Sequence, residues 1–536
     1  MRKDSKWLVA ALAVGLTYRL LISLQGVDMV DAGFCNTFYQ VIFTHPDSNV
    51  FCFIYYLTGL VGGTWELLFG DGGLLGFRLL EALTLTTAIA TLAATFSSYM
   101  PRRYTCMAVA LSFLFPTIVV TFHYDTITYL LVALSAYALK KALATDKDRW
   151  PMMAGALLGM AFFARIVNAA LFALLLTPLI IYKQQRIRKT ATMAGGLLLG
   201  MAAVIGVMAL LGHTPYYIAA LGEAFSTFSG DEATHSHGHL LIQYLRNYVN
   251  IALQAVALGA CYAAGMWASR LQSLRYRRAA LASVAVVVLV LTFTSLPNLT
   301  LLAACMMVLL AVLPRCSKQH PTPVVLSLYL TAATLLIPLG SDIGVQGIFN
   351  WCAGLIVFPA SWCASRCTAP YQRWAQKVLV ACVACCALLR TGYEAYGEDV
   401  PRWACTSQAQ EHRLNVYMEK EKALNYRHFI EAVEQHIGPS RLLFITNQAA
   451  ELYYATRTLP YEGHVQPVIY TGERLTWRLD ERLAHFGEYP LIAFLNQPHP
   501  SAETPAVQEG TLQWMQRHHY QLVYDDGFSR LYATRK

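Results

Sequence analysis

Apolar segments long enough, or nearly so, to cross a bilayer recur through the first 391 residues. They fall at about 7–25, 77–99, 104–121, 126–141, 150–164, 166–182, 190–211, 247–268, 279–295, 298–313, 323–338, 347–363 and 377–391. Lipid offers no partner to a backbone N–H or C=O, so such segments satisfy their own hydrogen bonds as helices. The series predicts an all-α polytopic membrane domain of about 13 transmembrane helices over residues 1–391. Composition agrees: 56% of the 536 residues are hydrophobic and 14% charged, against about 25% charged in soluble proteins. The first segment is long enough to span and has no small-residue cleavage site after it, unlike a signal peptide.

Charge orients the series. Up to Thr391 there are 27 Lys and Arg against 14 Asp and Glu. Of these cations, 22 lie in RKDSK, PRR (101–103), KKALATDKDR, KQQRIRK, SRLQSLRYRR, PRCSK and SRCTAPYQRWAQK. Thirteen crossings put all seven segments on one side, which the positive-inside rule makes cytoplasmic, together with the N-terminus. Cytoplasmic loops thus account for the basic excess, with membrane lipid as the surroundings and no nucleic acid as partner. Residues 51–69 (FCFIYYLTGLVGGTWELLF) would break the alternation by crossing, so they are expected as an interfacial helix in a first external loop, 26–76. A second long external loop is expected at 212–246. Ten of the 14 acids face outward. Topology does not require that; a site on the external face would explain it. The 13 cysteines lack metal-type pairs and read as small hydrophobes, although Cys35 and Cys52 could pair in an oxidised loop.

Residues 392–536 hold 14 basic and 18 acidic residues and are expected to form an external soluble α/β domain. RLLFITN and YPLIAFLN read as short buried strands, TLQWMQRHHY as a helix and YQLVYDDGFSRLYATR as a hairpin. The chain shows neither a glycine-rich nucleotide loop nor an internal repeat.

Five features share the outer face. VDMVDAGF carries Asp28 and Asp31. FHYDTITYLL carries His123 and Asp125, and Asp125 is placed to cap the helix after it. FFARIVNAA sets Arg165 and Asn168 in a short turn between spans, where the arginine either snorkels or holds an anion. The polar stretch SGDEATHSHGHLL offers His235, His237 and His239 as weak metal candidates without fixed geometry. IPLGSDIG carries Asp342 in an ordinary turn sequence.

Together these residues suit chemistry on a lipid-borne phosphate. A phosphate leaving group departs without a general acid, so one carboxylate is needed to take the proton of an acceptor hydroxyl. Cations, or a divalent metal, must balance the charge growing on the phosphate. Asp31 or Asp28 can be the base; Arg165 and Arg246, with Asn168, can hold the phosphate. Asp125, Asp342 and His123 are supporting or metal-binding candidates. At a spacing of three, Asp28 and Asp31 would share one face of a helical turn and raise each other's pKa. Gly33 would permit an unusual turn and close approach of substrate.

At VDMVDAGF, HYD and ARIVN the chain resembles the GT-C superfamily of integral-membrane glycosyltransferases, which includes the protein O-mannosyltransferases and the lipid A aminoarabinose transferase. The resemblance extends in architecture over the whole chain: a first helix followed by an acidic motif in a long loop, a second-loop acid, an odd number of spans and an external C-terminal domain. It implies Asp31, in D-x-G-F, as the catalytic acid of the first loop and Asp125 as that of the second. One position departs: the Asp-Glu pair of several members is here Asp31-Ala32.

The expected function is inverting transfer of a hexose or pentose from a polyprenyl-phosphate donor to a hydroxyl of a lipid, glycan or protein acceptor. The expected place is the extracytoplasmic face of a bacterial inner membrane. Two other classes compete. A transporter or flippase of lipid-linked sugars would set ionisable residues near the midplane and show inverted repeats. An O-antigen polymerase or ligase would lean on outward arginines and histidines rather than on an acid after the first helix.

Overall fold

The computed structural model describes residues 3–115, 121–145, 147–182, 184–228, 237–339, 341, 344–466, 472–496 and 505–534. The helices run α1 (Lys3–Ile22), α2 (Asp31–Val41), α3 (Tyr56–Phe69), α4 (Gly73–Phe96), α5 (Arg102–Leu114), α6 (Tyr124–Thr145) and α7 (Arg149–Ala164). A 3-10 stretch, Ile166–Leu176, leads into α8 (Thr177–Ile181), α9 (Arg186–Leu210), α10 (Thr214–Phe228), α11 (His237–Ser269), α12 (Leu274–Ser295) and α13 (Pro297–Cys316). Then follow α14 (Pro321–Leu336), α15 (Gly344–Cys352), α16 (Gly354–Ser365) and α17 (Pro370–Tyr393).

Helix is present in each of the thirteen expected segments. By length and apolar composition, seven helices among the described residues can cross a membrane, or eight if α15 and α16, bent by 81°, form one broken span. Others are short: α5 has 13 residues and α7 and α14 have 16 each. The chain is therefore a mostly helical polytopic membrane protein with seven or eight candidate spans. Residues 51–69 run on toward α4 as part of a helical stretch, Phe51–Phe96, that is itself long and apolar enough to span. Within it α3 packs on α2, where Gly59 and Gly62 leave room for the rings of Phe38 and Tyr39. Small residues also let α7 and α9 approach closely: a Cβ at Gly155, Gly159, Gly196 or Gly200 would strike the backbone of the partner helix.

Three of the basic segments reach neighbouring helix ends. Arg102 lies over Trp7, 4.2 Å from the ring centre, Lys140 bonds the Ala94 carbonyl at 2.7 Å and Arg366 that of Tyr99 at 2.7 Å. In the last turn of α1, Arg19 meets Glu81 on α4 through two hydrogen bonds of 2.8 Å, buried in the helical bundle. Pairing of this kind offsets what a lone charge would cost there.

Beyond α17 the chain changes character. β1 (Cys405–Ser407) and β2 (Met418–Glu419) pair, and α18 (Lys420–His436) leads to a mixed five-stranded sheet. Its strands are β3 (Leu442–Ile445), β4 (Leu459–Pro460), β5 (Leu491–Leu495), β6 (Tyr520–Asp525) and β7 (Ser529–Thr534), in the order β4-β3-β5-β7-β6. β3 pairs in parallel with β4 and β5, while β7 is antiparallel to β5 and β6. Helices α19 (Glu451–Ala455), α20 (Gly472–Phe486) and α21 (Pro505–Arg517) complete this part. The two expected strands, the helix and the hairpin are thus all present.

This part grips the loop after α1. Thr37 donates to the Ala450 carbonyl at 2.8 Å, and the Glu451 N–H to that of Met29 at 3.0 Å. Gly33 lies at the crossing of α2 and α19, where a Cβ would strike the Glu451 backbone nitrogen. Its missing side chain serves helix packing, not a turn or the approach of substrate as its sequence position suggested. Cys35 and Cys52 are both buried and free, so the disulfide considered between them is absent.

Candidate functional site

The first aspartate of VDMVDAGF precedes α2 and caps it. Asp28 Oδ1 accepts the Val30 N–H at 3.0 Å, and Oδ2 accepts the Ala32 N–H at 2.8 Å and the Tyr396 hydroxyl at 2.6 Å. Three donors thus hold its two oxygens. Asp31 is the first residue of α2 and is exposed, at the helix end where unpaired N–H groups favour a negative charge. The two carboxylates therefore do not share one helical face; one builds the helix start and the other projects from it.

A second group lies where α6 begins and α7 ends. Arg165 is the single extended residue between α7 and the 3-10 stretch. Its guanidinium is buried, 3.4 Å from Asp125 Oδ1 and 5.2 Å from the Tyr124 ring centre. It does not snorkel. Asp125 does not cap α6 either, because His123 does: its carbonyl accepts the N–H groups of Thr126 and Ile127, and its Nδ1 lies 2.7 Å from Thr126 Oγ1. Asn168 is turned inward, donating to Thr128 Oγ1 and the Ala161 carbonyl at 2.8 Å each. It braces the turn that presents Arg165.

Rings join the two groups. Phe34, on α2, meets Tyr55 edge-on at 5.6 Å, and Tyr55 stacks on Tyr124 at 4.6 Å, under Arg165. Aromatic contacts of this geometry are favourable beyond their buried area and fix the α2 start relative to the arginine.

The remaining sequence candidates are not drawn in. Arg246 is exposed on α11 and bonds no described residue. Asp342 and His235 lie outside the described residues, as do the side chains of His237 and His239. Buried Asp125 Oδ2 and His123 Nε2 have no hydrogen-bond partner among the described residues. They belong to no group of three or more His, Cys, Asp or Glu placed to hold a metal ion among the described residues.

Several site residues escaped the sequence reading because their partners are remote. Tyr396 is one. Glu451 is another: fully buried, it accepts from Asn36 Nδ2 at 2.9 Å. Burial pushes its carboxyl up to about 8, the Asp28 charge adding to the effect and the Asn36 hydrogen bond opposing it. Behind Phe34, buried Glu462 has both carboxyl oxygens without a partner among the described residues, and burial pushes it up to about 8 against the pull of Arg478 and Arg482. His464 packs on Phe51 at 4.6 Å and Phe34 at 6.2 Å; burial pulls its imidazole down to about 3. The only hint in the sequence is a Glu and a His within the largely apolar LPYEGHVQPVIY.

Residues 62–209 match the family described as dolichyl-phosphate-mannose-protein mannosyltransferase. No curated protein matches the chain. Among solved structures, ArnT from Cupriavidus metallidurans bound to undecaprenyl phosphate is similar at 12% identity, covering 98% of each chain with a TM-score of 0.45. The Archaeoglobus fulgidus oligosaccharyltransferase in complex with Zn and sulfate is similar at 11% identity and a TM-score of 0.47, over 90% of this chain and 68% of that one. The family match thus covers the stretch that holds Asp125, Arg165 and Asn168, and it is to the dolichyl-phosphate-mannose-protein mannosyltransferases that this part of the chain is similar.

Proposed function

We propose that the protein is an inverting glycosyltransferase that moves a sugar from a polyprenyl-phosphate donor to an acceptor hydroxyl on the extracytoplasmic face of the membrane. The observation that carries this reading is the exposed Asp31 at the start of α2, fixed by Asp28 and joined through Phe34, Tyr55 and Tyr124 to buried Arg165. The matched family's name, with dolichyl-phosphate-mannose as its sugar carrier, supports a polyprenyl-linked donor.

In this mechanism Asp31 takes the proton of the acceptor hydroxyl, whose oxygen attacks the anomeric carbon from the face opposite the phosphate. The anomeric C–O bond breaks, its electron pair leaves with the polyprenyl phosphate, and the configuration inverts. Arg165 faces the growing phosphate charge, exchanging part of its interaction with Asp125 for it. Thirteen crossings, a cytoplasmic N-terminus and an extracytoplasmic part from about residue 392 complete the reading. The contact of Arg102 with Trp7, near the start of α1 and so at the opposite end of that helix from the Asp31 loop, supports that orientation.

The test is sugar transfer or release from a synthetic polyprenyl-phosphate sugar by the full chain in lipid nanodiscs. Turnover that is lost in Asp31→Asn, with donor still bound, is the expected result. No turnover from any polyprenyl-phosphate sugar, with transport of the lipid-linked sugar instead, would overturn the reading.

A further inference from the structure

A cavity of about 880 Å³ opens between the start of α2 and the C-terminal part, and Asp28, Met29 and Val30 form one of its walls. Its apolar surface includes, beside Val27, Met29 and Val30, two rings, Tyr426 on α18 and Phe528 before β7, with centres 5.8 Å apart. Tyr426 is 5% exposed, yet its hydroxyl bonds no described residue. The carboxamides of Asn425 and Gln448, also in the wall, bond no described residue either. Six carboxylates line the cavity against one ammonium. That ammonium, on Lys422, is already engaged, with Glu398 at 3.0 Å and the Gly397 carbonyl at 2.6 Å.

A second cavity, of about 330 Å³, lies on the other side of Gly397 and Glu398, which line both. Its walls include Leu114, Phe115, Leu296 and Pro297 from the helical bundle. Tyr396, in the dividing segment, is the residue that reaches Asp28. One short segment, Tyr396 to Glu398, therefore separates the bundle-side space from the polar space and bonds Asp28.

We infer that the polar cavity binds the sugar portion of the acceptor, and that this sugar carries no phosphate. This rests on the transferase reading above and names its acceptor class, a glycan or glycolipid. Free carboxamides and a phenol hydroxyl match neighbouring sugar hydroxyls, each of which donates and accepts. The two rings, tilted by 59° to each other, offer apolar walls against which the C–H face of a pyranose can lie. Carboxylates accept from hydroxyls, but six of them beside one neutralised cation repel an anionic ligand.

Saturation-transfer NMR on the full chain in detergent tests this with maltotriose, mannotriose and chitotriose, with mannose 6-phosphate, and with a short Ser/Thr peptide. We expect transfer to at least one neutral trisaccharide, none to the sugar phosphate, and about a tenfold weaker signal in N425A/Q448A. Tyr426→Phe, which removes only a hydroxyl, should weaken it without unfolding. Silence from all three trisaccharides would overturn the inference. So would equal binding of mannose 6-phosphate or the peptide, or a full signal in both variants. Asp31 lies outside the cavity wall, so Asp31→Asn should keep trisaccharide binding. Binding with unchanged turnover in that variant would sink the base assignment alone; loss of turnover without trisaccharide binding would sink the cavity alone.

Discussion

Tyr396 donates its hydroxyl to Asp28 at 2.6 Å, tying the segment after α17 to the residue that caps α2. Burial, and then the charges of Asp28 and Asp31, push the Tyr396 phenol well above its ordinary value, so it stays a donor. Asp28 thereby serves structure, and Asp31 is the exposed carboxylate of the two.

Asp31→Asn keeps the size of the side chain and removes the base. Turnover should fall by about two to four orders of magnitude, with donor binding and melting temperature unchanged. Asp28→Asn should instead cost stability, about 0.5–2 kcal/mol for a weakened cap, and lower turnover less. Steady-state rates with melting curves for both variants decide it; wild-type turnover in Asp31→Asn with none in Asp28→Asn reverses the roles.

The Arg165–Asp125 pair makes two separable predictions. Arg165→Lys loses the planar fork of donors and should weaken donor binding by about 1–3 kcal/mol. Asp125→Ala leaves a buried cation without its partner and should destabilise the protein by about 3–5 kcal/mol. Donor titration and thermal melting measure the two effects. Unchanged donor affinity in Arg165→Lys would leave the arginine as a structural partner of Asp125.

What could be seen in the sequence follows from how local the signal is. The strand LLFI, the helix ending at Arg517 and the hairpin closed by Asp526 are set by neighbours a few residues apart, and all three are present. Asp125 and Arg165 could each be noticed, but their pairing spans 40 residues and comes only from packing of α6 on α7. The role of Gly33 is hidden for the same reason, since the Glu451 backbone it accommodates lies more than 400 residues away. Tyr396, Tyr426 and Gln448 sit in unremarkable sequence, and only the docking of the C-terminal part on α2 brings Tyr396 to Asp28 and sets Tyr426 and Gln448 in one cavity wall with it.

Orientation can be read on intact cells. A cysteine at Glu488 should react with a membrane-impermeant thiol reagent, and one at Lys147 should react only after permeabilisation. Both belong in a background with the exposed Cys385 replaced. The reverse pattern would place Asp31 in the cytoplasm and remove the extracytoplasmic part of the proposal.

Stability should fall as the medium turns alkaline, and Glu451 and Glu462 set the direction. Each carboxyl is held up to about 8 in the folded chain, against about 4.3 when unfolded. Between those values the folded state holds protons that the unfolded state has lost, so stability falls with rising pH at up to about 1.4 kcal/mol per unit per group. The contribution is complete below the unfolded value and gone once pH passes the folded one. His464, pulled down to about 3, acts in the opposite sense but only where the unfolded imidazole still binds a proton, below about pH 7. Melting temperatures between pH 7 and 9 therefore isolate the carboxyls. Glu462→Gln keeps the side-chain shape and cannot ionise, so its melting temperature should drop less across that window than the wild type's. An equally steep drop in Glu462→Gln would show that Glu462 does not enter the folded chain protonated, and that Arg478 and Arg482 outweigh its burial.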